Sequence, residues 1–222
     1  MFKLKKVFIA PVISVIGAYF LVLSSYAANT SCLSEPAVAE VKSAVDEILV
    51  VLKQKKAAIS KDRKVAYKII DKYLVPKADF KIMAQLVLTS NWKKLNDQQK
   101  QNFVKEFSRL MIRTYGVAFE AYDDQTVEFH CPVRTLPKIG DVQRVEISST
   151  IHQNRQPDNI VKFRLVNNAN EWKAYDLSVD NVSIVDSYRT VFASKFRKQK
   201  DPDAIIKEMH DKNCTGKMTC ND

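Results

Sequence analysis

Glycine is nearly missing from this chain, with four in 222 residues. A phosphate-cradling loop needs several glycines at close spacing, so nucleotide-binding loops are excluded. No GxSxG or HExxH signature occurs, and His130, His152 and His210 are scattered. No cysteine pair has CxxC spacing, so no metal is expected, and no cofactor either. Internal repeats and low-complexity linkers are also absent. Acidic residues are in the minority, 25 against 35 Lys and Arg, for a net charge of +10. That balance favours acidic partners. Nucleic acid is not expected among them, because aromatic and basic residues do not alternate along any strand-like stretch as a stacking platform requires.

One long apolar run is present, over residues 7–23, behind Lys3, Lys5 and Lys6 and ahead of Ser25-Tyr26-Ala27. It reads as a cleaved secretory signal peptide over residues 1–27. A retained anchor is the alternative, but Pro11, Ser14 and Gly17 interrupt a run already near the lower length for spanning. Cleavage removes three lysines and no acids, taking the net charge from +10 to +7. The remaining length suits a single domain over 28–212 and an irregular cysteine-containing tail over 213–222. An exported chain can oxidise Cys32, Cys131, Cys214 and Cys220. Three pairings are possible. Gly216 favours a short Cys214–Cys220 loop, leaving Cys32–Cys131 by remainder.

The apolar spacing then predicts helices followed by strands and helices again. Ser34 and Pro36 open a helix with Val38, Val41, Val45, Ile48, Leu49 and Leu52 as its stripe. Ser60 opens a second, which Pro76 stops. A third covers 78–88. Asn96 and Gln99 form a capping box for the longest helix, ending near Tyr122. Its apolar face is wide enough for contact on two sides. From Asp123 the period drops to two: strands centre on Val127–Val133, Val145–Ile151, Val161–Leu165 and Trp172–Val179, with turns at Pro137/Gly140, 154–159, Asn167-Asn168 and Asp180-Asn181. Ser183 caps an amphipathic helix, with Asp186 reaching back. Asp201 and Pro202 start a last one. The expected class is α+β: a twisted four-stranded antiparallel sheet with helices packed on its concave face.

Catalytic chemistry is thin. Asp176 could serve as a general base if it faces a cavity, but it shares its strand with no second polar partner, so a salt bridge is the plainer role. Cys131 has no visible base beside it. The chain is therefore expected not to be an enzyme. The alternatives held beside that are a small-molecule enzyme using Asp176 and a ligand-free binding or chaperone protein.

Four stretches carry a resemblance. WKAYDLSVDNVSIVDSYRTVF resembles the strand–turn–helix signature of the MlaC-type phospholipid carriers, the toluene-tolerance or ABC-transporter auxiliary proteins of the Gram-negative periplasm. ADFKIMAQLVLTSNW is similar to a second signature, with Asp79, Phe80, Met83, Leu88 and Trp92 on the family's positions. FVKEFSRLMIRTY and DPDAIIKEM match a third and the C-terminal helix. Asn181 and Ser90-Asn91 stand where glycines are common. The resemblance implies an NTF2-like fold enclosing an apolar cavity. It implies a monomeric periplasmic carrier that holds a phospholipid by its acyl chains. The carrier would shuttle it between an outer-membrane lipoprotein/porin complex and the MCE-domain subunit of an inner-membrane ABC transporter, maintaining outer-membrane lipid asymmetry.

With a cavity implied, the inward residues become candidates for lipid contact. On the sheet they are Phe129, Ile147, Ile151, Phe163, Leu165, Tyr175 and Leu177. On the helices they are Phe80, Met83, Val87, Phe107, Met111, Tyr115, Tyr188 and Phe192. About half are expected to touch lipid and the rest to be ordinary core. Lys93, Lys94, Arg113, Arg164 and Arg189, beside the matched stretches, are the candidates for head-group or partner contact.

Overall fold

The computed structural model describes residues 32–62 and 64–215. The expected signal peptide, Gly216 and Cys220 lie outside them.

Helix α1 (Pro36–Lys61) starts at Pro36, whose missing N–H costs nothing in a first turn. Glu35, not Ser34, is its N-cap, and its side chain makes no capping bond. The helix runs through Ser60, so α2 (Lys64–Tyr73) begins later than the sequence pattern suggested. A turn at Val75–Lys77 comes next. Asp79 caps α3 (Phe80–Leu88) by accepting the Ile82 N–H at 2.9 Å. In front of α4 (Asp97–Glu120) the Asn96 side chain accepts from the Gln99 N–H at 2.8 Å, and the Gln99 side chain accepts from the Asn96 N–H at 3.1 Å. That is the full reciprocal box.

The sheet has five strands rather than four, in the order β1-β2-β3-β4-β5, with neighbours antiparallel. They are β1 (Thr126–Ile139), β2 (Val142–His152), β3 (Asn159–Asn168), β4 (Glu171–Val179) and the two-residue β5 (Val182–Ser183). Strand β1 contains Pro132 and continues through Pro137, so the turn expected at Pro137/Gly140 falls at Gly140 alone, between β1 and β2. It is an edge strand, so a missing N–H need not break a ladder, and its register shifts around both prolines. The β3–β4 turn falls at Ala169 and Asn170, both with positive φ, leaving Asn167 and Asn168 in the strand. Asp180 and Asn181 make the β4–β5 turn with φ of 48° and 68°.

Ser183 then caps α5 (Ile184–Lys198), accepting the Asp186 N–H at 3.0 Å. Asp186 does not reach back; its carboxylate takes Arg189 instead. Helix α6 (Pro202–Asn213) ends on a fully buried Asn213, one residue into the stretch expected to be irregular. A disulfide joins Cys32 to Cys131 across a Cα–Cα distance of 5.9 Å, tying the chain just ahead of α1 to β1. Cys214 is also disulfide-bonded; its expected partner Cys220 lies outside the described residues.

Two cores position the site. Helices α3 to α6 close on one centred on Phe103, Phe107 and Phe192, where Phe192 meets Phe103 edge-on at 5.1 Å. Helix α1 packs Ala37, Val38 and Val41 on Ile147 and Leu165 of the sheet. Val166, one residue on from Leu165, belongs to the first core. The helices thus engage the sheet in two places rather than on one face alone. No helix among the described residues is long and apolar enough to cross a membrane.

Candidate functional site

Asp176 sits at the hand-over from β4 to α5. Its carboxylate is buried and accepts from Arg164 Nη1 at 3.0 Å, Ser183 Oγ at 2.7 Å and the Val185 N–H at 3.0 Å. The last two donors belong to the start of α5, where the helix dipole favours an anion. Arg164 continues through Nε to Glu146 at 2.9 Å, and Glu146 also takes Arg134 at 2.8 Å. Burial pushes the Glu146 carboxyl up, but Arg164 and Arg134 outweigh it and hold it below its ordinary value. Burial works against the Arg164 charge as well, and Glu146 and Asp176 override it. This is a satisfied ionic ladder across β1, β2, β3 and β4. A buried carboxylate held by a guanidinium, a hydroxyl and a backbone N–H is stabilised as an anion, so its geometry favours a structural role over general-base work.

The unfilled space lies elsewhere. A cleft of about 400 Å³ opens between α1, the α2–α3 connection, α4 and the sheet. One wall is Val41, Ala44, Val45, Ile48 and Leu49 of α1. Opposite stand Phe163 and Leu165 of β3 with Trp172, Ala174 and Leu177 of β4. Met111, Tyr115, Gly116 and Phe119 of α4 close a side, and Phe80 and Met83 of α3 another. Nearly all of this surface is hydrocarbon. Many lining residues, among them Val45, Leu49, Phe163, Trp172 and Leu177, are only half-buried although they face into the molecule. Apolar groups left uncovered inside a fold mark a ligand site more often than a packing fault. Gly116 matters to the wall's shape: a Cβ there would come within 2.6 Å of the Tyr67 ring, so only glycine lets α4 lie this close to α2.

Among the described residues, three charged ones line the cleft: Glu40, Lys77 and the buried, hydrogen-bonded Asp176. Glu40 and Lys77 form an ion pair, with side chains 41% and 43% exposed, where the cleft meets solvent. Tyr115 is also partly exposed; burial first, then Tyr188 and Asp176, pushes its phenol up, so it stays a neutral hydroxyl.

Eight of the fifteen residues read from the sequence as lipid contacts line this cleft: Phe80, Met83, Met111, Tyr115, Ile151, Phe163, Leu165 and Leu177. The other seven are not among its lining residues. Val87, Phe107, Tyr175 and Phe192 are fully enclosed in the α3–α6 core, where Arg144 Nε donates to the Tyr175 hydroxyl at 2.8 Å. Tyr188 packs edge-on against Phe107 at 5.7 Å. Ile147 and Phe129 support the sheet beneath α1. Of the basic residues, Lys93 and Lys94 are exposed on the turn after α3. Arg164 is engaged in the ionic ladder. Arg189 donates to the Leu86 carbonyl at 3.0 Å and to Asp186. Arg113 lines a separate, smaller cavity of about 130 Å³ beside α6. None of the five reaches the cleft.

The sequence reading missed the α1 wall and the Glu40–Lys77 pair. The stripe through Val45 and Leu49 has the width of an ordinary core-facing helix, so its spacing does not distinguish a cavity wall from a packed face. Nothing local marks Lys77.

The model of the MlaC protein family matches residues 42–211. The chain is 25% identical over 148 residues to the intermembrane phospholipid transport system binding protein MlaC of Haemophilus influenzae, covering 65% of this chain and 67% of that protein. It is 23% identical over 159 residues to the toluene tolerance protein ttg2D of Pseudomonas putida, covering 71% of this chain and 72% of that one. Among solved structures, a phospholipid-binding protein from Ralstonia solanacearum, in complex with a phospholipid, superposes with a TM-score of 0.70 at 27% identity. The match covers 80% of this chain and 97% of that one.

Proposed function

The chain belongs to the MlaC protein family, and from that premise we propose that it is a phospholipid carrier whose cleft holds acyl chains. The observation that carries this is the half-covered hydrocarbon between α1 and the sheet. Two acyl chains hold about 30 methylenes, each worth about 0.8 kcal/mol on leaving water, or roughly 24 kcal/mol in all. Only a space nearly as dry as a bilayer can accept them. The dryness of the cleft supports this reading: Asp176, the buried charge among its described lining residues, is neutralised by Arg164 and bonded to the α5 N-terminus.

At roughly 30 Å³ for each water-sized group, 400 Å³ holds about a dozen such groups, close to one chain. A second chain needs the walls to part. In this reading α1 is the wall that moves, because the disulfide fixes the chain at its start while the rest of its cleft-facing stripe meets few partners across the gap. The fold is then of the NTF2-like kind, with an expandable cavity between sheet and helices. Phe80, Met83, Met111, Tyr115, Ile151, Phe163, Leu165 and Leu177 contact the chains. The protein works as a monomer in the periplasm after loss of residues 1–27. It passes lipid between an outer-membrane lipoprotein complex and the MCE-domain subunit of an inner-membrane ABC transporter. Release requires a partner to widen the cleft, because burial itself favours retention. Transfer to bare liposomes as fast as to the transporter would contradict that last step.

The test is solvent extraction of the purified protein followed by mass spectrometry. Phospholipid should be recovered from the wild type and strongly reduced in Ala44→Trp, whose indole fills the cleft from α1. Lipid-free wild-type protein would overturn the proposal.

A further inference from the structure

We infer that the Glu40–Lys77 pair is a head-group site selective for zwitterionic phospholipids, with the lipid phosphate on Lys77 and its ammonium on Glu40. This rests on the carrier function proposed above. Any head group emerging from the cleft must meet the charges at its rim. Among the described lining residues only Glu40 and Lys77 qualify, because Asp176 is 2% exposed and held by three donors. The two come from separate elements, Glu40 from the second turn of α1 and Lys77 from the turn joining α2 to α3.

The Lys77 backbone is held in place. Its N–H donates to the Leu74 carbonyl at 2.9 Å, and two residues on the Asp79 N–H donates to Ala174 of β4 at 2.8 Å. Only side chains need to move for the pair to open. An ion pair about two-fifths exposed on both sides is weak, so opening it costs little. The charge balance of the opened pair then depends on the ligand. A head group carrying phosphate alone can take Lys77 but leaves Glu40 unpaired beside a second anion. A head group with phosphate and a primary ammonium matches both rim charges at once, and no charge is left over. The rim is thus complementary to a zwitterion and mismatched to an anionic lipid.

The experiment uses lipid-stripped protein equilibrated with vesicles equimolar in phosphatidylethanolamine and phosphatidylglycerol of identical acyl chains. The protein is re-isolated and its lipid counted by mass spectrometry. The wild type should carry about three- to fivefold more phosphatidylethanolamine, the ratio an exposed ion pair can supply. Glu40→Gln should bring the ratio close to one while still loading lipid. The double exchange of Glu40→Lys with Lys77→Glu should restore the preference. Equal loading by the wild type, or an unchanged ratio in Glu40→Gln, overturns the head-group site and leaves the carrier function standing. Failure of every variant and of the wild type to load either lipid overturns both.

Discussion

Arg164 is the residue through which β2, β3 and the start of α5 are held together. Two buried carboxylates, Glu146 and Asp176, depend on its guanidinium. Removing it leaves Asp176 without its cation and Glu146 with Arg134 alone, and stranding one partner of a buried pair costs about 3–5 kcal/mol. Its own side chain is about one-third exposed, so Arg164→Ala should lose about 3 kcal/mol in urea unfolding. A loss below about 1 kcal/mol, the range of a surface pair, would contradict this role. Glu208 gives a pH test. Lys195 and Lys212 hold its carboxyl down at about 2, from an ordinary 4.5. A lowered value means the stabilisation is present above about pH 4.5 and disappears as the pH falls towards 2. Wild type should melt about 1–3 °C above Glu208→Gln at pH 7, and the two curves should converge at the acid end. At this scale the sequence was only partly legible. It allowed Asp176 a salt bridge or a base, and no spacing rule connects position 164 with 146 and 176. Those contacts exist because antiparallel register sets Arg164 opposite both.

Helices are legible in the sequence where capping chemistry is local. Asn96 with Gln99, Ser183 and Asp201 each cap as side chains within three residues permit, whereas the helix expected from residue 78 starts at Phe80 behind its Asp79 cap. Boundaries shift where a neighbouring residue takes the cap: α1 ends at Lys61, one residue past Ser60, and Asp62 rather than Ser60 accepts the Lys64 N–H at the start of α2, at 3.0 Å. Strand β1 continues past Pro137, although a proline signals a break, because the strand lies at an edge, and edge position is a tertiary fact. The disulfide that fastens the start of α1 to β1 closes a separation of 99 residues, a distance over which no local spacing marks a partner. A loop of that length predicts a loss of about 5 kcal/mol in a Cys32→Ala/Cys131→Ala double variant. The urea midpoint of oxidised wild type and double variant measures it. Coincident midpoints would mean that α1 holds its place without the tether.

For the molecule as a whole, class and element order were legible because the apolar period changes once, at Asp123, and changes back at Ser183. Which inward residues form solid core and which border a gap was not legible. Phe107 and Tyr115 lie on the same helix face eight residues apart, yet one is sealed in the α3–α6 core and the other borders the cleft. That division is set by where α1 and the α2–α3 connection come to rest, several contacts away in sequence. The cleft contains one of the two tryptophans, Trp172; Trp92 packs against the α3–α6 core instead. In a Trp92→Phe protein, Trp172 therefore reports on the cleft alone. Loaded with a phospholipid brominated along its acyl chains, this protein should lose most of its tryptophan fluorescence relative to the same protein holding the unbrominated lipid. Equal fluorescence from the two loaded forms would place the acyl chains somewhere other than between α1 and the sheet.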